Sequence, residues 1–162
     1  MYSMDEGVKV AQQAAKHIET WLWRKPESVN VRNVESEPAF QQIDVDLIWT
    51  THNDSYKVEI KGDRWHKTGN FFLETHSNFE KGTLGCFIYT QADYLFYYFV
   101  TPRTLYMLPM PATRDWFVAC LNRFRERSTT TPVRGSYYTT VGRLVPITVV
   151  LQAVPGVKKE QL

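Results

Sequence analysis

Four side chains in the first half of the chain carry the chemistry that constrains it most: Asp44, Asp46, Glu59 and Lys61. They lie in two largely apolar runs, IDVDLIWT at 43–50 and SYKVEIKG at 55–62, joined by the turn-rich THNDS. Such runs predict the two strands of a β-hairpin with a longer loop. Alternate residues of a strand share a face. Asp44 and Asp46 are therefore expected together on the first strand, and Glu59 and Lys61 together on the second, with Asp63 continuing that face. Carboxylates gathered in this way repel one another, and burial raises the cost of each. A divalent cation relieves both problems. Mg²⁺ is usually held by one or two carboxylates together with waters and a substrate phosphate. An ammonium beside it orients a water or stabilises charge developing on phosphate. Lewis-acid activation and charge stabilisation are what phosphodiester hydrolysis requires of a protein.

The flanking sequence supplies the elements that must hold these residues. Residues 5–23 predict an amphipathic helix, with Val8, Ala11, Ala15, Ile18 and Leu22 at spacings of three and four and Pro26 stopping it. VNVRNV at 29–34 predicts a short strand or an extended connector. GNFFLETHSN at 69–78 predicts a third strand after the hairpin, and Glu74 on it either faces the same cleft or faces solvent. A short helix is expected within 82–92, weakened by Gly85. YLFYYFV at 94–100 reads as a central strand, because it lacks polar alternation, and 104–110 as a further strand. Residues 112–127 predict a second long helix, 128–132 a polar loop, and 143–151 a last strand at an edge because of Pro146. This order predicts one α/β domain over 1–162 with a mixed sheet. Its core covers about 5–110, and a C-terminal helix and strand occupy 111–152.

Ile43-Asp44-Val45-Asp46-Leu47-Ile48 followed by Val58-Glu59-Ile60-Lys61 resembles the PD-(D/E)XK nuclease superfamily, in which an Asp on one strand precedes Glu-x-Lys on the next. The thirteen-residue step from Asp46 to Glu59 is similar to that of the Holliday-junction-resolvase-like and homing-endonuclease-like members. The chain departs from the pattern in having Val45, or Ile43, where the family loosely keeps a Pro. The resemblance implies a restriction-endonuclease-like αβββαβ core, with a mixed central sheet flanked by helices. It implies a metal-dependent DNA endonuclease with Asp46, Glu59 and Lys61 as the catalytic residues. Asp46, Glu59 and the carbonyl of Ile60 would hold Mg²⁺, with Mn²⁺ able to substitute, and Lys61 would position the nucleophile. Asp44 stays open beside Asp46 as ligand or supporting group. Glu6 and Glu19 are the candidates for the acidic residue that the family's leading helix often supplies. DNA is the implied partner, and a homodimer or higher homo-oligomer the implied assembly. The competing expectation is a non-catalytic nucleic-acid- or protein-binding module with the same fold.

Net charge is only +2, so bulk charge announces no polyanionic partner. Its distribution is more suggestive, since six Arg (114, 123, 125, 127, 134 and 143) stand against Asp115 and Glu126 in one stretch. Arg123 and Arg127 from that stretch, with Arg64 and Lys67 beside Trp65, are the candidates for nucleic-acid contact. The plainer reading of such charge is a solvated surface. Cys86 and Cys120 have no Cys or His at metal-ligand spacing, so no zinc site is expected. No signal peptide and no apolar run of membrane-spanning length is evident. A cytoplasmic protein, with nucleoid association compatible, free thiols and no membrane partner, is the expectation.

Overall fold

A computed structural model describes residues 4–162. The expected first helix is present as α1 (Met4–Trp23). Its buried stripe is Ala14, Ile18 and Leu22, spaced by four and thus on one face. Val8 and Ala11 lie on the exposed side. Three antiparallel strands follow: β1 (Ser28–Asn33), β2 (Leu47–Thr51) and β3 (Ser55–Asp63). The segment before the hairpin, read as strand or connector, is thus the strand β1. A four-residue helix, α2 (Pro38–Gln41), lies between β1 and β2.

The strand expected third in this sheet belongs elsewhere. β4 (Asn70–Asn78) joins a second, four-stranded sheet with the short β5 (Thr83–Leu84), β8 (Arg125–Val133) and β9 (Ser136–Pro146), in the order β5-β4-β9-β8. The helix expected within 82–92 is one turn, α3 (Cys86–Tyr89). The apolar strand β6 (Tyr94–Phe99) is central as expected, and it pairs parallel to β3 in register from Val58↔Tyr94 to Asp63↔Phe99. β7 (Thr104–Pro109) and β10 (Lys158–Gln161) complete a six-stranded mixed sheet, β1-β2-β3-β6-β7-β10.

The C-terminal part differs most from expectation. The second helix is short, α4 (Ala112–Ala119), and gives way after a 3₁₀ turn to β8 (Arg125–Val133) where a polar loop was expected. β9 (Ser136–Pro146) is long and ends where the last strand was expected to run, and residues 147–153 form α5 (Ile147–Ala153). Pro146 supplies the reason. Its fixed φ suits the entry to a helix, and it lacks the N–H that a continuing strand would need. In β8 the run of Thr residues favours extended backbone although nothing in it is apolar enough to announce a strand.

Both faces of the large sheet are covered. One face, with Val31, Leu47, Trp49, Val58, Phe96 and Tyr98, packs against α1. Gly62 of β3 lets the helix come close: a Cβ there would stand 2.9 Å from the Ala14 Cβ and 3.0 Å from the Val10 carbonyl oxygen. The other face, with Leu95, Tyr97, Phe99, Tyr106 and Leu108, meets Phe71 and Leu73 of β4, Val145 of β9, Phe117 of α4 and Val150 of α5. A third, small cluster of Val34, Val45 and Ala92, with Phe40, Ile43 and Ile48 against it, anchors the turn that leads into β2. Among the described residues no helix is long and apolar enough to cross a membrane.

Candidate metal centre

Strand alternation sends Val58 and Ile60 toward α1, and Glu59, Lys61 and Asp63 toward the second sheet. The three polar residues would be orphaned in that interior without local partners. Asp63 and Lys61 have them. The Tyr97 hydroxyl donates to Asp63 Oδ2, the backbone N–H of Trp65 donates to Asp63 Oδ1 at 2.7 Å, and the Phe72 N–H donates to the Tyr97 oxygen at 3.0 Å. Lys61 forms a half-buried ion pair with Glu74 of β4. Of the two readings open for Glu74, the cleft-facing one is therefore found. Burial alone would pull the Lys61 ammonium down, but the Glu74 carboxylate outweighs it and the net shift is upward, so Lys61 is held as a cation.

Glu59 is different. It is 7 % exposed, and its Oε2 has no hydrogen-bond partner. Burial, and then the charges of Asp46 and Asp44, push its carboxyl well above the usual range. A buried polar atom left unpaired costs about 1–3 kcal/mol, and more for a charged group.

The aspartates reach Glu59 from a turn rather than from a strand. β2 begins only at Leu47, so the expected alternation of Asp44 and Asp46 on one strand does not occur. Asp44 takes left-handed backbone, with φ 55°, which Asp tolerates better than most residues. Its carbonyl accepts from Thr90 Oγ1 at 2.6 Å, and the Gln91 N–H donates to the Ile43 carbonyl at 2.9 Å. The turn is thereby tied to the end of α3, which Arg114 holds in turn by donating to the carbonyls of Thr90 and Ile88. Asp46 extends the β2–β3 ladder. Its N–H donates to the Val58 carbonyl at 2.9 Å, and its Oδ2 accepts from the Ile60 N–H at 2.8 Å. Because N–H and C=O of one residue leave an extended strand on the same side, the Ile60 carbonyl is directed toward Asp46.

Burial raises the Asp46 carboxyl, and the hydrogen bonds from Ile60 and Glu59 partly offset this. Burial and then Asp46 raise Asp44 to about 6, with the Tyr89 hydroxyl working in the opposite direction. Asp44 Oδ2, like Glu59 Oε2, is buried without a partner.

Cys86 completes the cluster and was not marked by its sequence surroundings. Ligand atoms of Asp44, Glu59 and Cys86 lie within 4.8 Å of one another. The thiol is carried there by Gly85, whose N–H donates to the Thr75 carbonyl at 2.9 Å. A Cβ at Gly85 would stand 2.6 Å from the Glu74 carbonyl oxygen, so only glycine allows this approach. No short motif could have revealed Cys86, since its neighbours come from two distant segments. The grouped donors are two carboxylates, Asp44 and Glu59, and the Cys86 thiol, with one oxygen of each carboxylate lacking a partner. That set fits a divalent cation. Asp46, expected as the ligand, is not in the group and instead accepts from the Ile60 N–H.

The remaining candidates are dispersed. Glu6 and Glu19 sit on α1, across the sheet from Glu59, and Glu6 pairs with Arg64 at 3.7 Å. The Arg64 guanidinium lies 4.6 Å over the ring of exposed Trp65, and Lys67 is exposed in the following 3₁₀ turn. Arg123 lines a shallow groove of about 460 Å³ with Arg125, Asn70 and Pro146. Arg127, Gly142 and Glu74 stand in register across β8, β9 and β4. Directly opposed residues share a face, so Arg127 is on the face that carries Glu74, roughly 10 Å away by strand spacing. Comparison with protein-family models, curated proteins and solved structures gave no match to this chain.

Proposed function

We propose that this protein is a divalent-cation-dependent DNA endonuclease that hydrolyses phosphodiester bonds at the Glu59 cluster. The observation that carries the reading is the buried Glu59 oxygen without a partner, set among Asp44 and Asp46 with an ammonium two residues along the same strand face. Such an arrangement is costly for folding alone and useful for binding a cation and a phosphate. The element order lends support: α1 precedes an antiparallel β1-β2-β3 meander and β6 returns parallel to β3, with β1 in the place expected for the strand at 69–78.

In this reading a bound cation supplies Lewis-acid activation of water and phosphate. Glu59 and the aspartates hold it, and Asp46 fixes the β3 backbone through the Ile60 N–H. Lys61 orients the attacking water and stabilises charge on the phosphate, and Glu74 keeps Lys61 protonated and aimed. Arg125 and Arg127 give the DNA backbone a track leading away from the cluster, and Arg64 and Lys67 serve the far end of β3. A two-fold dimer would place two such sites for two strands.

Cleavage of linear, supercoiled, single-stranded and four-way-junction DNA, with Mg²⁺ or Mn²⁺ and with chelator, tests the proposal. Wild type should cleave only with cation. Lys61→Ala should lower kcat by about 10²–10³, the size seen on removing one transition-state stabilising donor, and Glu59→Ala should abolish activity. If wild type and Glu59→Ala bind DNA alike and neither cleaves any substrate, the protein is a binding module instead.

A further inference from the structure

We propose that Cys86 is itself a ligand of this centre, and that the site therefore takes a borderline cation such as Fe²⁺, Co²⁺ or Zn²⁺ in preference to Mg²⁺. The inference rests on the metal-site reading above, but not on the reaction assigned to it.

Three observations converge. The first is which oxygens lack partners. Asp44 Oδ2 and Glu59 Oε2 are the buried carboxylate oxygens without a hydrogen bond among the described residues, and they belong to the two carboxylates grouped with the Cys86 sulfur. The second is distance. Ligands about 2.0–2.3 Å from one ion in a tetrahedral site stand about 3.3–3.8 Å apart. The three atoms lie within 4.8 Å of one another, so ion binding would draw them together by about 1 Å. The third is how the thiol is held. Gly85 presses its backbone against Glu74, and Arg114 secures the carbonyls at the end of α3, so Cys86 is fixed by the same contacts that shape the cluster. The other thiol has a different use: Cys120 Sγ donates to the Trp116 carbonyl at 3.0 Å.

The consequence for cation choice follows from ligand chemistry. Thiolate favours soft and borderline ions, whereas Mg²⁺ demands oxygen ligands in near-ideal octahedral geometry and dehydrates reluctantly. Two carboxylates and one thiolate leave at least one position open for water. As the sulfur–metal bond forms, the thiol proton passes to solvent, and no oxidation is involved.

Titration of the cation-free full chain with Co²⁺ tests this directly, because a thiolate ligand gives a near-ultraviolet sulfur-to-cobalt charge-transfer absorption. Wild type and Cys120→Ser should show the band at one equivalent. Cys86→Ser and Glu59→Gln should lose it while keeping wild-type circular dichroism. Cd²⁺ should displace the Co²⁺, and Mg²⁺ at the same concentration should not. By calorimetry, Cys86→Ser should weaken Cd²⁺ binding by at least the ~10–100-fold that loss of an outer-shell partner already costs. An undiminished band or affinity in Cys86→Ser, or displacement by equimolar Mg²⁺, overturns the inference and leaves the nuclease proposal standing. A band that depends on Cys86, in a protein that cleaves no DNA with any cation, upholds the inference and removes the nuclease.

Discussion

Glu59 and Asp44 hold their protons more tightly in the folded protein than in the unfolded chain, Asp44 at about 6 against 3.8. Folding therefore takes up protons wherever those values straddle the pH, and stability without cation rises as pH falls through that window. The melting temperature in chelator should climb as pH falls through about 6, where Asp44 takes up its proton, before carboxylates held low by hydrogen bonds, such as Glu80, begin to protonate. Each kcal/mol corresponds to about 2–4 °C in a chain of this size. Glu59→Gln should flatten the climb and raise the melting temperature at pH 8, and added cation should do the same for wild type. A midpoint that stays level or drops on acidification would show that these carboxyls are not held apart from solvent as described. The sequence made Glu59, Lys61 and Asp63 legible, because period-two alternation in β3 survives folding intact. It could not show that Asp44 enters by a left-handed turn, nor that Cys86 joins from α3. Both depend on contacts with residues dozens of positions away.

Between elements, two polar bridges fasten the large sheet to β4: Lys61 to Glu74, and the Tyr97 hydroxyl to Asp63 and the Phe72 N–H. Tyr97→Phe removes the hydroxyl that joins the second bridge and leaves Asp63 Oδ2 and the Phe72 N–H in need of partners. It should cost about 1–3 kcal/mol, measured as a lower urea midpoint at unchanged m. On the opposite face Gly62→Ala sets a methyl against Ala14 and the α1 backbone, and overpacking of this kind costs about 1–3 kcal/mol. The same denaturation series checks it, and wild-type stability in that variant would mean the helix has room to move outward. The period of 3.6 announced α1, and the unbroken apolar run announced β6. The segment at 69–78 suggested a strand but says nothing about which sheet receives it, and the short apolar run at 147–151 suits helix and strand equally.

Across the molecule, positive charge is arranged on the second sheet rather than summed in the net charge. Arg127 shares the face of Glu74, and Arg125 stands two residues along the same strand. On the nuclease proposal, Arg127→Ala should weaken DNA binding to about the same degree for every sequence and reduce the slope of log affinity against log salt by about 1. An unaltered slope would place the DNA path elsewhere, along Arg64 and Lys67 for instance. One feature of the large sheet reaches into kinetics. β3 and β6 run in the same direction, so the chain must travel through residues 64–93 before the two can meet. A detour of that length delays closure for entropic reasons. The ligand cage cannot exist in any early hairpin, and a cation would accordingly slow unraveling of the finished protein far more than it would hasten its assembly.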